Sequence, residues 1–234
     1  PSVAAAPNST ATHTTTTTGT RGQLGLGGDF AGVAARPQLV PIGSAPSSMR
    51  AVEVACGFGH TTVLLSDGSL HHWGKRQGLG NAAPNKSYPA DQTVPRRLKP
   101  SDPSVAFSSL SSGLYHGAAL SKDGSRIFVW GSNQHYQLGG HLPQNLLQPQ
   151  PVEVPARMWG NEAVRSVTCG HIHTIVHTES GKWWILGGGF SEPRNFTEEV
   201  ASALPPNSRI LSVSMSLRHG ALLVEHPTPP PSSE

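Results

Sequence analysis

Cysteine is scarce in this chain: 234 residues hold two, Cys56 and Cys169, and neither belongs to a CxxC pair. That excludes a disulfide scaffold and a thiolate zinc site, and it fits a reducing, intracellular compartment better than secretion. Charge is sparse too, at 13% of residues. The densest basic group, Arg96, Arg97 and Lys99, has no interleaved aromatics and reads as a solvated turn. A nucleic-acid partner, held through its acidic backbone, is therefore the weaker alternative despite a formal charge of +3. No apolar run approaches the roughly 20 residues that cross a bilayer, so membrane insertion is not expected. A charged start with an apolar core, the mark of a secretory signal, is missing as well.

Catalytic and ligand motifs are equally lacking. The glycine-rich stretch from Gly22 to Gly28 has no Lys-Ser/Thr to hold a phosphate. His171, His173 and His177 fall on one face of a strand, but no carboxylate or cysteine pair completes a tetrahedral set. His71 and His72 alternate to opposite faces and read as exposed strand residues. Cys56 and Cys169 share a repeat position that Ser112 and Met215 fill elsewhere, which marks a small buried packing site rather than a nucleophile. Accordingly no catalytic, cofactor or metal residue is assigned, and the chain is read as non-enzymatic.

Glycine (26) and proline (21) are abundant, which points to short strands and many turns. Four histidines, His60, His116, His173 and His219, each precede a small residue and an apolar pair, at separations of 56, 57 and 46 residues. A glycine stands three residues before the first three (Gly57, Gly113, Gly170), and another eight residues after them (Gly68, Gly124, Gly181). Asp67-Gly68 and Asp123-Gly124 sit between apolar runs, the pattern of a β-hairpin. The second strand of each hairpin ends in Trp73-Gly74 or Trp130-Gly131, with Leu186-Gly187 in the third copy. A glycine-rich turn follows, as Gln77-Gly78-Leu79-Gly80 and Tyr136-Gln137-Leu138-Gly139, and it also stands near the start as Gly22-Gln23-Leu24-Gly25.

This ordered set, Gly-x-x-His, Asp-Gly, then Trp-Gly-Ser-Asn-x-x-x-Gln-Leu-Gly, resembles the repeat of the regulator of chromosome condensation family, RCC1. The resemblance runs from residue 21 to about 225 and implies an all-β fold, an RCC1-like β-propeller built of four-stranded blades. One blade cannot hide its own core and must stack on neighbours around an axis. The repeat histidines and glycines are read as structural, the inward histidine fixing the strand-to-strand turn through backbone hydrogen bonds. About four blades are recognisable, whereas a ring of seven at roughly 50 residues each needs about 350. A longer chain, a partner or second copy, or a smaller closed ring could each account for the difference.

Residues 1–20, rich in Ala, Ser and Thr, read as a disordered leader, residues 21–225 as propeller, and residues 226–234 as a Pro-rich tail. Of the adjacent Trp183 and Trp184, one is expected to face outwards as a contact hot spot. Function is expected to be that of a protein-interaction scaffold, a subunit of a larger assembly in the cytoplasm, cilium or mitochondrion. Its protein partners would meet the propeller face or open blade edges, with the loops Gly74 to Arg97 and Gly131 to Pro151 foremost. The alternative is a guanine nucleotide exchange factor for a small GTPase, as the resemblance implies.

Overall fold

A computed structural model describes residues 3–5, 10–13, 22–27, 38–42, 49–75, 77–80, 91–144, 146–206, 208–215 and 220–225. Three short strands come first, β1 (Val3–Ala5), β2 (Thr10–His13) and β3 (Gln38–Pro41), paired in that order as one antiparallel sheet. Residues 1–20 were expected to be disordered; β1 and β2 lie among them, and the rest of that segment falls outside the described residues, as does the 226–234 tail.

Three four-stranded antiparallel meanders follow. The first contains β4 (Ala51–Cys56), β5 (His60–Leu65), β6 (Leu70–Gly74) and β7 (Gln92–Arg97). The second contains β8 (Phe107–Ser112), β9 (His116–Ser121), β10 (Ile127–Ser132) and β11 (Leu147–Val154). The third contains β12 (Val164–Cys169), β13 (His173–Thr178), β14 (Trp183–Gly187) and β15 (Phe190–Asn195). A short helix α1 (Thr197–Ser202) leads to a two-stranded sheet of β16 (Arg209–Met215) and β17 (Gly220–Glu225). The strands β4, β8, β12 and β16 meet their counterparts in the adjoining sheets and line the axis, so each meander is a propeller blade.

The repeat dictates this locally. Gly68 and Gly181 take left-handed φ values of 82° and 87° and close three-residue hairpin loops, with Leu65 bonded to Ser69 and Thr178 to Lys182. Asp67 accepts from the Ser69 N–H at 2.9 Å, so the acidic residue fixes the turn that the glycine permits. Both faces of β5, β9 and β10 are buried, because a blade has a neighbour on each side. For that reason His72 is buried and not exposed as alternation had implied.

The core is a set of wedges between blades rather than one central mass. Phe107, Leu110, Phe128 and Trp130 pack with Leu64 and Leu70 between the first two blades, and Ala118, Val129 and Leu138 with Val167, Val176 and Leu186 between the second and third. Leu186 fills its wedge where the other copies carry Trp. Trp183 is buried and stacked on His177 at 3.8 Å, and Trp184 is half-buried against the same core, so the expected outward tryptophan is not there. Trp183 is covered from α1's end as well, where Phe196 stands beside it.

Candidate partner-binding face

The repeat residues are consumed in joining one blade to the next. A Cβ on Gly57 would stand 2.0 Å from Cε1 of His60 and 2.5 Å from the carbonyl oxygen of Gly113, so only glycine fits between the ring and the next blade. Within the turn, the Gly57, Gly113 and Gly170 N–H groups each donate at 2.8 Å to the carbonyl of the histidine three residues on. Between blades, the Phe58 N–H donates to Leu114 and the Leu114 N–H to His171, each at 3.2 Å. Backbone hydrogen bonds therefore run from blade to blade around the axis.

Between the second and third blades the His116 ring points across the junction to the next blade. His116 Nε2 lies 3.2 Å from the His173 carbonyl and 3.1 Å from Thr174 Oγ1. A carbonyl can only accept, so Nε2 carries the proton. Thr174 Oγ1 donates onward to the Gln137 carbonyl at 2.7 Å, and Thr61 Oγ1 lies 3.4 Å from the equivalent Gln23 carbonyl, which also takes the Trp73 indole N–H at 2.9 Å. Burial without a compensating anion lowers the imidazole pKa of His60 to about 4 and of His116 to about 3, so both are neutral.

The glycine-rich turns act as staples on the outermost strand of the following blade. A Cβ on Gly22, Gly80 or Gly140 would meet the carbonyl oxygen of Gln92, Gln148 or Ser191 at 2.6, 2.0 or 2.1 Å. Asn133, fully buried, shapes the long connection between β10 and β11: its amide donates to the carbonyls of Gly139, Leu142 and Pro143 at 3.1–3.3 Å, and its oxygen accepts from Leu138 at 2.9 Å.

Two ends of the propeller result. Gly57, Gly74, Gly113, Gly131 and Gly170, with the histidines at 60, 116 and 173, gather at one end, here the upper face; Gly68, Gly124 and Gly181 turn the hairpins at the other. Trp73 and Trp130 are buried on the third strands, and His219 lies outside the described residues. Of the loop expected to lead binding, residues 76 and 81–90 also lie outside them. Among the described residues no three His, Cys, Asp or Glu side chains converge on one point. Cys169 is buried, whereas Cys56 is exposed and departs from the packing role read for it. The blade against Cys169 has four strands, and the sheet preceding Cys56 has three among the described residues.

What the repeat leaves over stands on the upper face. Phe58 is 65% exposed and meets the Tyr115 ring edge-on at 5.7 Å. The Lys75 ammonium lies 5.2 Å and 5.1 Å from the two ring centroids and donates to the Tyr115 hydroxyl at 3.3 Å. Beside them, a hollow of about 500 Å³ runs along the axis, lined by Gly57, Ser112, Leu114, Gly170 and His171 among others. These residues were not singled out from sequence. The signal was available: Phe58 and Tyr115 fill the unconstrained positions of Gly-x-x-His, and Lys75 follows Trp-Gly.

Carboxylates divide unevenly between the ends. In the described upper-face connections, Asp91, ahead of the outermost strand β7, is the single carboxylate. The opposite connections carry Asp67, Asp102, Asp123, Glu162, Glu179, Glu198 and Glu199. All ion pairs among the described residues lie at that opposite end, including Arg126 with Asp102 at 2.9 Å and Arg165 with Glu179 at 2.8 Å.

Consecutive meander blades, tied by backbone hydrogen bonds at each junction and by the His116 ring at one of them, define a repeat-built β-propeller. Two models of the regulator of chromosome condensation (RCC1) repeat match the chain, one at residues 125–176 and the other at residues 51–77 and 107–137. The chain is 32% identical over 197 residues to the ultraviolet-B receptor UVR8 of Arabidopsis thaliana, which spans 83% of this chain and 41% of that protein. It is 31% identical over 145 residues to the secretion-regulating guanine nucleotide exchange factor of Bos taurus, covering 59% of this chain and 30% of that one. Human WBSCR16 has the same fold, with a TM-score of 0.70 at 21% identity over 94% of this chain and 54% of its own. The chain thus spans less than half the length of these two curated relatives. No helix among the described residues is long and apolar enough to cross a membrane.

Proposed function

We propose that this chain is a non-enzymatic scaffold that holds a protein partner on its upper face, as a subunit of a larger intracellular assembly. One observation carries the reading. The repeat side chains are spent on blade junctions, while Phe58, Lys75 and Tyr115, which play no part in those junctions' histidine contacts, are clustered beside an axial hollow, Phe58 exposed and the other two half-buried. Loops and turns on a rigid frame are where binding residues concentrate, and an aromatic pair with a fixed cation is a typical hot-spot composition. A reducing compartment suits a chain whose two cysteines are thiols in different blades.

Cross-linking of the whole protein in its native complex, read by mass spectrometry, tests the reading. Links from Lys75 and its neighbours to one stoichiometric partner are expected; links confined to the opposite end would overturn it. Similarity to a secretion-regulating guanine nucleotide exchange factor favours exchange activity as the second reading. Accelerated GDP release from a purified small GTPase, lost on Phe58→Ala, would move the assignment there.

A further inference from the structure

We propose that the Phe58–Lys75–Tyr115 cluster anchors an acidic segment of the partner, its carboxylate on the Lys75 ammonium and an adjoining apolar side chain against Phe58 in the axial hollow. This rests on the scaffold reading and names the chemistry of the partner. An ammonium has three N–H donors, and one is spent on the Tyr115 hydroxyl, which leaves two for an incoming carboxylate. The two ring faces hold the cation in place before anything binds, so little side-chain entropy remains to be lost.

Charge complementarity selects the occupant. At the opposite end Arg126, Arg165, Lys182 and Arg194 pair with carboxylates within the chain, whereas Lys75 has no ion pair among the described residues and the upper-face connections around it hold one described carboxylate, Asp91. A carboxylate arriving at the upper face finds a cation whose neighbours in the cluster are aromatic and which is partly shielded from water. The hollow beside it, about 500 Å³ and lined by Phe58, Leu114 and Tyr115 among others, has room for an apolar side chain. Nucleic acid fits less well, because a phosphate track needs several cations in a row and this cluster supplies one.

The test uses the whole protein and fluorescein-labelled peptides in an anisotropy titration. One peptide carries glutamates around a central leucine, a second replaces each glutamate by glutamine, and a labelled DNA duplex is the third probe. The acidic peptide is expected to bind about tenfold tighter than its glutamine counterpart, the worth of one hydrogen-bonded charge pair. That advantage should vanish in Lys75→Gln, persist in Lys75→Arg, and fall in Phe58→Ala, with unchanged circular dichroism in all three. Equal binding of the two peptides, or an unaffected Lys75→Gln, overturns the proposal; a duplex that binds tighter through Lys75 replaces it with a nucleic-acid site. If Lys75→Gln still enters its native cross-linked complex through the upper face, this inference fails while the scaffold reading stands.

Discussion

A Cβ on Gly113 would stand 2.3 Å from the carbonyl oxygen of Gly170 in the next blade and 2.2 Å from Cε1 of its own His116. Neither neighbour can yield, since one is backbone and the other is a buried ring held between blades. Gly113→Ala is therefore expected to open the junction between the second and third blades, at a cost of about 3 kcal/mol or more by the measure of an overpacked core. Gly181 is a different case: its φ is 87°, but nothing lies within 4 Å of a Cβ there. Gly181→Ala should cost only about 1 kcal/mol, the conformational strain alone. Urea unfolding of the two variants beside the parent checks the contrast, which disappears if both glycines serve only their backbone angle.

Much of this was legible in the sequence. Asp-Gly between apolar runs marked the hairpins, and the spacing of Gly57, His60 and Trp73 marked the blade, because strands, turns and period are local. The direction of the His116 ring was not legible, since its partners at His173 and Thr174 lie a full repeat away and depend on how blades are rotated about the axis. Trp183 and His72 misled for a related reason. Alternation predicts one wet face for a strand, but a blade between two neighbours has none. The cluster at Phe58, Lys75 and Tyr115 was harder to see: its residues fill variable positions beside the repeat motif in two blades, and spacing along the chain does not say that they meet.

Asn133 gives a second prediction. Its buried amide reaches three carbonyls and its oxygen accepts one N–H; the Gly139 and Pro143 carbonyls also accept from Leu142 and Leu146, so Asn133→Ala strips their partner from the Leu142 carbonyl and the Leu138 N–H. Stability should fall by about 2–4 kcal/mol. Limited proteolysis should find a new cut between residues 139 and 146, with the first blade still resistant. Cleavage spread evenly over all blades would show that Asn133 supports the whole propeller and not this connection.

Acid sensitivity follows from the junction histidines. His60 and His116 hold pKa values of about 4 and about 3, and His72 about 3, against 6.5 for a free imidazole, because burial disfavours the charged ring. The unfolded chain then binds more protons than the folded one as acid is added. Their stabilisation is complete above pH 6.5 and drains as pH falls from 6.5 through these lower values. The melting temperature should decline steadily below about pH 6.5. A His116→Gln variant should melt lower near neutrality yet show a shallower decline; equal slopes would place the acid sensitivity elsewhere.

Glu53 reverses that sign. It lies on the axial strand β4, and its carboxylate accepts the Leu110 N–H of the next blade at 2.9 Å. Desolvation raises its pKa above 4.5, and the hydrogen bond from Leu110 only partly offsets this. A carboxyl with a raised folded pKa makes its contribution in acid and loses it as pH climbs past 4.5, so at neutrality its charge works against the fold. Glu53→Gln keeps an oxygen to accept from Leu110 and removes the charge. Its melting temperature at neutral pH should match the parent or exceed it by about 2–4 °C, the gain narrowing in acid. A clear loss at neutrality would mean that the ionised carboxylate itself, through a charge-assisted bond to Leu110, holds the first two blades together at the axis.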